Sequence, residues 1–422
     1  MLYRLREAGY HLVGDADGSD IVVINTCGFI EDAKREAIEH ILRLAALKAE
    51  GRVGKILVAG CLAERYREEV FRELPEVDGL VGCGSFHEVA HAVASAAAEG
   101  RPCLFPPPDA TPLEASRLVS TPRFTAYLKI AEGCDNACAY CVIPRLRGAF
   151  RSLPMDALLS EAALLVKGGA RELILVAQDT TRYGMDLYGK RRLPELLEAL
   201  CQIDGLRWLR LHYLYPSDVD SYLVDVIARE GKIVKYLDIP IQHCNDRLLG
   251  AMGRRGGRRQ IEALVYALRT RVPGVALRTS LIAGLPGETD ADFEELCAFL
   301  HKTRWERAGV FPYSPEEGTR AAEMPGQVEA VTRHKRAQIL MDIQRDIMED
   351  FHKTLLGKTL DILTESYDRQ TGRHCGRSWA DSPEVDSRVF FTARRRIAAG
   401  TFARVRITGL HGDDLLGRAI VT

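Results

Sequence analysis

Apolar and polar positions follow three different patterns along the chain. Up to about residue 104, short apolar runs rich in Val, Ile and Leu (Ile21–Ile24, Ile56–Ala59, Leu80–Val81) are separated by helix-like stretches, Glu31–Glu50 and Leu62–Glu73. Strand-length apolar runs alternating with helices predict a parallel sheet with crossover helices. Residues 105–116, FPPPDATPLEAS, combine three consecutive prolines with small polar residues and predict a linker. From about 121 to 352 the alternation resumes. Strands are predicted at Ala126–Ile130, Leu173–Ala177, Trp208–Tyr213, Tyr236–Pro240, Ala276–Ala283 and Gly309–Pro312. Helices are predicted at Met155–Lys167, Leu193–Ile203, Arg258–Arg271 and Asp290–Lys302, with one long closing helix over 328–355. Six such units on one sheet predict a barrel or partial barrel. From 357 to 422 short alternating runs (Thr359–Thr364, Glu384–Phe391, Phe402–Ile407) predict a small antiparallel barrel of about five strands. The expected class is α/β: an amino-terminal parallel α/β domain, a (β/α)6 partial barrel, and a small β-barrel.

Composition narrows the class. The 422 residues carry 57 Lys+Arg against 58 Asp+Glu and are 46% hydrophobic, which excludes disorder over the whole length. No apolar run is long enough for a membrane span, and the start, MLYRLREAGYHLVGDADG, lacks the apolar core of a signal peptide. A cytoplasmic location is expected. Eleven cysteines there point to metal or redox chemistry rather than disulfides. Residues 357–422 have eleven Lys/Arg and eight Asp/Glu, a local charge of +3, with Arg394, Arg395 and Arg396 adjacent. A basic β-barrel is a common nucleic-acid contact surface, and a solvated loop gives the same pattern.

The sharpest motif is GCDNACAYC. Cys134, Cys138 and Cys141 have the spacing C-x3-C-x2-C directly after a predicted strand. Three thiolates on one tight loop hold three irons of a [4Fe–4S] cluster and leave the fourth open. A zinc site needs a fourth close ligand, and no second Cys/His pair lies nearby. Polar residues at other predicted strand ends are candidates for ligand contact: Gln178 and Asp179, Gln242 and His243, and Gly284, Pro286, Gly287 and Glu288. Turn formation and helix capping explain each of them equally well. Cys27 (after IVVINT), Cys61 (after KILVAG) and Cys83 (after GLVG) lie just past three predicted strand ends. Strand ends share one sheet edge, so these thiols form a plausible second site. Cys103, Cys201, Cys244, Cys297 and Cys375 are scattered and read as structural.

The C-x3-C-x-Φ-C spacing, with Tyr140 as Φ, resembles the signature of radical S-adenosylmethionine (SAM) enzymes. That resemblance implies SAM at the open iron, a partial (β/α)6 barrel, and Tyr140 as part of the cofactor site, with Gln178, Asp179, Gln242 and Gly284. Together with NTCGFIEDAK and GCLAERY, and with the terminal small barrel, the order of parts resembles the methylthiotransferases over essentially the whole chain. The family has an amino-terminal cluster domain (here 1–104), a radical SAM core (121–352) and a TRAM domain (357–422). It implies a second [4Fe–4S] cluster on three cysteines, two of which match Cys27 and Cys61. The first of the three belongs to an LGCPKN-like motif some thirty-odd residues before NTC. Only 26 residues precede Cys27 here and none is Cys. The expectation is a start assigned at an internal Met, with a first strand and cysteine upstream; substitution by Cys83 is the other reading. An exposed sheet edge would then be a pairing hazard.

RLHYLYPSDV, YLDIPIQHCNDRLLGAM, FPYSPEEGT and ADSPEVDSRVF resemble the RimO-type branch of that family. The resemblance implies methylthiolation of the β-carbon of an aspartate in ribosomal protein S-twelve of the small subunit. The alternative is the MiaB-type branch, which modifies an adenosine in tRNA. A non-enzymatic iron–sulfur factor is a third reading. An electron donor of the flavodoxin or ferredoxin kind is implied. The TRAM-like module is expected to contact the ribosomal protein or RNA through a basic, edge-strand surface.

Overall fold

The computed structural model describes residues 1–110 and 117–420. The second half of the expected linker, 111–116, lies outside them. Packing divides the chain into two compact units. One comprises 1–118, 132–151 and 314–323; the other comprises 119–131, 152–313 and 324–422.

The first unit is built on a four-stranded parallel sheet in the order Ser19–Thr26, Val53–Gly60, Gly79–Val81, Cys103–Leu104. Ile41, Ile56, Val58 and Leu80 belong to one core cluster, and Leu57, Ala59, Val81 and Val89 to another. Alternate residues of the same strands feed both clusters, which is why the strands read as unbroken apolar runs. Register sets Thr26 opposite Gly60 and Ala59 opposite Val81, so three strand ends lie side by side. Ser19–Thr26 lies at the sheet edge and is only part-buried. The helix expected over 62–73 is two helices, Cys61–Tyr66 and Glu68–Glu73, broken at Arg67 (φ 44°). The Arg67 side chain lies over the Phe105 ring at 5.3 Å and pairs with Glu64 at 3.0 Å. Residues 105–110 are docked rather than free. Phe105 packs against the core, and Arg151 donates to the carbonyls of Pro108 (2.6 Å) and Asp109 (2.9 Å).

The second unit has six parallel strands in chain order, forming an open sheet: Thr125–Lys129, Glu172–Val176, Trp208–Leu211, Ile233–Asp238, Ala276–Ala283 and Arg307–Pro312. This is the expected partial barrel, and helix Ala330–Leu355 packs on its last strand. A closed barrel follows, made of Thr359–Asp368, Arg373–Arg377, Val389–Thr392, Phe402–His411 and Asp414–Ala419. Closure removes edge strands, so among the described residues this barrel offers no free strand edge of the kind expected for docking. Within 384–391, only 389–391 is strand. Residues 378–387 instead reach the parallel sheet as a loop. Asp381 pairs with Arg307 at 2.6 Å, Asp386 pairs with Arg278 at 2.7 Å, and the Tyr236 hydroxyl donates to Asp386 at 2.7 Å. A strand there would leave those buried guanidiniums unneutralised.

The tightest of these ion pairs centres on Glu172. Arg210 Nε lies 2.9 Å from its Oε1, and Arg377 Nη2 lies 2.6 Å from its Oε2. Burial alone pushes this carboxyl up, but the two guanidiniums outweigh it and hold it near 2. A carboxylate depressed in this way stabilises the fold above its ordinary value of 4.5, and the contribution is lost as pH falls toward about 2. Glu172→Ala is expected to cost roughly 3–5 kcal/mol at neutral pH, because two buried guanidiniums lose their partner. Denaturation of both proteins across that window checks this: the gap between them should narrow as pH falls, and a constant gap contradicts the assignment.

Candidate functional site

The first unit gathers thiols at one sheet edge. Cys27 follows strand Ser19–Thr26 and is exposed. Cys61 opens the helix after Val53–Gly60, and Cys83 opens a 3-10 turn, Cys83–Glu88. Gly28 makes the approach possible: a Cβ there would stand 2.8 Å from the Leu62 backbone, so only glycine lets the turn after Cys27 lie on the Cys61 helix. The sulfurs brought into contact are those of Cys61 and Cys83, 3.8 Å apart. Arg147 Nη2 lies 3.3 Å from the Cys61 sulfur, and Arg147 Nη1 lies 3.5 Å from Glu132. Cys61 is pulled down to about 6, first by the Cys83 S–H and, against burial, by the Arg147 guanidinium. Cys83 is pushed up, by its bond to Cys61 and by burial.

The motif loop belongs to the same unit. Its ends meet where Cys134 N–H donates to the Gly148 carbonyl at 3.2 Å. Gly133 (φ 81°) permits this closure, since a Cβ there would lie 2.1 Å from the Ala149 carbonyl oxygen. Inside the loop Cys141 N–H donates to Cys138 O at 3.0 Å, and Asp135 accepts from Phe150 N–H at 2.9 Å. Segment 314–323 latches the outside. Ala321 N–H donates to Ala139 O (2.9 Å), Arg320 donates to Ala137 O (3.1 Å), and Arg145 donates to Gly318 O (3.0 Å). Cys134, Cys138 and Cys141 are all partly exposed, as is Tyr140. Val142 and Leu146, just past the motif, pack with Cys61 and Cys83.

The remaining candidates lie in the second unit, at the carboxyl ends of its strands. Asp179 is buried and caps the turn Thr180–Arg182, accepting from Thr181 N–H at 3.1 Å. Gln178 precedes it and is half-buried. Gln242 adopts φ 70° and continues the ladder, donating to Ser280 O and accepting from Ile282 N–H, each at 2.8 Å. Gly284 (φ 78°) donates to buried Glu288 at 2.8 Å; Glu288 also takes Leu285 N–H (3.3 Å) and Arg336 (2.8 Å). His243 Nε2 lies 3.6 Å from Glu288. Arg147, Glu316 and Arg336 carry much of this organisation; Glu316 lies in the FPYSPEEGT stretch but is not singled out there as a site residue, and Arg147 and Arg336 lie in no quoted motif.

The motif loop fits an open cluster. It supplies three partly exposed thiols and no fourth ligand, so a closed zinc site is a poorer match. Among the described residues no three His, Cys, Asp or Glu side chains already share a metal-ligand point, and no disulfide joins any cysteine. No helix among the described residues is long and apolar enough to cross a membrane.

The Radical SAM superfamily matches residues 128–300, an uncharacterized protein family (UPF0004) matches 1–82, and the TRAM domain matches 356–420. The ribosomal protein uS12 methylthiotransferase RimO of an Anaeromyxobacter species is 48% identical over 422 residues, covering 100% of this chain and 89% of that protein. The RimO protein of Pelotomaculum thermopropionicum is 46% identical over 426 residues, covering 100% and 95%. Both bear the name of the ribosomal-protein branch, and the tRNA branch is not favoured. Among solved structures, the radical SAM methyltransferase TsrM of Kitasatospora setae, bound to cobalamin and a [4Fe-4S] cluster, superposes with a TM-score of 0.53. At 16% identity over 73% of this chain and 66% of that one, it supports the fold alone. The family implies SAM and at least one [4Fe–4S] cluster as cofactors, and the chain belongs to the RimO family as a radical SAM methylthiotransferase.

Proposed function

We propose that this enzyme transfers a methylthio group to the β-carbon of an aspartate in ribosomal protein uS12, in the cytoplasm. The observation that carries the reading is whole-chain identity of 48% to a RimO protein, with the cysteine motif intact. Cys134, Cys138 and Cys141 hold one cluster. Cys27 and Cys61 hold a second, and their location in the same compact unit as the motif loop supports this division. Tyr140, Gln178, Asp179, Gln242 and Gly284 contact SAM. When bound, the two clusters and SAM supply a 5′-deoxyadenosyl radical and the methylthio group. An sp3 C–H bond is too weakly acidic for any base on this chain, so the residues bind, orient and exclude water.

Residues 1–104 then serve sulfur delivery, 121–352 radical generation, and 357–422 docking. A groove of about 640 Å³ on the small barrel supports contact with ribosomal RNA beside uS12. Its lining includes Arg394, Arg406 and Arg418, with Arg406 directly opposite Arg418 in register. Like charges in that position repel, and a phosphate between them relieves the cost. A flavodoxin- or ferredoxin-like protein supplies the electron.

Anaerobically reconstituted enzyme with SAM and reductant is expected to add one methylthio mass to uS12 and none to tRNA; the reverse result overturns the substrate. Cys138→Ala should abolish deoxyadenosine formation. Cys61→Ala should still release deoxyadenosine yet leave uS12 unmodified, and equal loss of both activities contradicts the two-cluster division. Iron analysis reads the number of clusters: about eight irons per chain, two clusters of four, supports the second cluster, and about four leaves only the radical SAM cluster and removes it.

A further inference from the structure

We propose that Glu384, at the tip of the loop over 382–387, receives a cationic side chain of the substrate protein and so helps to set which polypeptide the enzyme accepts. The inference rests on the reading of uS12 as the substrate.

The loop is fixed on both sides and presents its middle. Asp381 is paired with Arg307, and Asp386 with Arg278. Ser382 is buried; its hydroxyl lies 3.0 Å from His212 Nε2, and its N–H donates to Asp386 at 2.9 Å. Between these anchors Glu384 and Val385 are exposed. Glu384 adopts φ 69°, a left-handed conformation that glycine or asparagine takes with less strain. The other two carboxylates of the loop are spent on buried guanidiniums. Glu384, among the described residues, has neither an ion pair nor a hydrogen bond. A strained backbone kept under a side chain that the fold does not use points to a use outside the fold.

The surroundings of the tip identify the ligand. Side chains alternate along a strand, so Gly309 and Phe311 share with Arg307 the face of the sheet on which this loop lies. The Phe311 ring stands 3.3 Å from where a Gly309 Cβ would be, and Arg278 Nη2 stands 3.7 Å from the same point, so the ring lies over the glycine beside that guanidinium. Tyr127, on the first strand, is pushed up by burial and next by the Glu384 carboxylate, with Tyr213 contributing less; the three are neighbours. Tyr213 (φ 59°) meets the His212 ring edge-on at 5.7 Å, and its N–H donates to Asp238 at 3.4 Å. Tyr213, Phe311 and Val385 are 46%, 49% and 59% exposed. Exposed aromatic and aliphatic side chains around a preformed loop make up a protein-binding surface. A carboxylate set beside tyrosines on that surface is complementary to lysine or arginine. Glu384 repels the target aspartate, so the cation it takes lies elsewhere on the same polypeptide. The same charge rejects a phosphate backbone, which makes the occupant protein rather than RNA.

The test uses full-length reconstituted enzyme and uS12. Glu384→Gln should raise KM for uS12 about fivefold with kcat held within about twofold, and should weaken uS12 binding, measured by calorimetry without reductant, by the same factor. The binding that remains should respond less to added salt than that of the wild type. Glu384→Asp should keep part of the affinity. Glu384→Gly fits the backbone better, so it should melt no lower than the wild type yet bind as weakly as Glu384→Gln. An unchanged KM and Kd in Glu384→Gln overturn the proposal. Wild-type affinity in Glu384→Gly overturns it as well, and that variant decides the matter if Glu384→Gln does not fold. Reduced deoxyadenosine release by Glu384→Gln in the absence of uS12 places the residue at the SAM site and also overturns the proposal. If the wild type neither binds nor modifies uS12, the substrate reading falls and takes this inference with it. That outcome is distinct from normal modification by the wild type with no change in the variants.

Discussion

A buried carboxylate holds the thiol-bearing unit together. The Glu316 side chain is 3% exposed and is compensated from four directions: Arg65 at 2.7 Å, Lys34 at 3.3 Å, the Glu31 backbone N–H at 2.9 Å and the Ser314 hydroxyl at 2.6 Å. A charge so placed is tolerable only while every partner is present, which makes the arrangement all-or-none. Arg65 also donates to the Gly28 carbonyl at 2.9 Å, so the cluster of charges reaches the turn that carries Cys27. On its other side, segment 314–323 grips the motif loop through Gly318, Arg320 and Ala321. Two sets of thiols far apart in sequence are thereby fixed to one short segment contributed from a third place in the chain.

The second unit solves a different problem with the same chemistry. Glu172, Arg210, Arg278 and Arg307 project from the strands of the parallel sheet, and the small barrel and its 378–387 loop bring Arg377, Asp381 and Asp386 to meet them. Apolar packing would bury that face at less desolvation cost. Paired fork geometries instead specify one orientation of the small barrel on the sheet, since a guanidinium and a carboxylate misaligned by an ångström leave a charge unpaired.

This explains what was legible in the sequence. Three of the four strands of the first sheet and all six of the second were readable because their apolar runs are local, the two-residue strand Cys103–Leu104 being too short to give a pattern, and Cys134, Cys138 and Cys141 because they share one short loop. The pairings that seat these parts were not. Arg65 and Glu316 are 251 residues apart, Arg147 and Cys61 are 86 apart, and Arg307 and Asp381 are 74 apart. A single charged side chain has no periodicity, and its partner is decided by the fold. The same holds for residues 384–388, whose alternation mimics a strand although Asp386 is spent on Arg278 and Tyr236. The contact between Cys61 and Cys83 was half-visible: equivalent positions past adjacent strands were readable, but not which thiols touch.

The polar residues at the strand ends show where the chain sets reactivity. Asp179 is committed to a turn, Glu288 to the N–H groups of Gly284 and Leu285, and Gln242 to the ladder through its backbone. Acid–base catalysis would need one such group facing its substrate with a pKa near working pH; among the strand-end carboxyls Asp238 is pushed up to about 6 by burial, and it is held beside Arg278 and the Tyr213 backbone N–H. Radical chemistry has no such requirement, and these carboxylates can be used to stiffen loops around a bound cofactor instead. The environment that is charged, buried and aimed at a reactive atom lies around a sulfur. Arg147 stands 3.3 Å from the Cys61 sulfur, a full charge held against a thiol as well as against the Glu132 carboxylate.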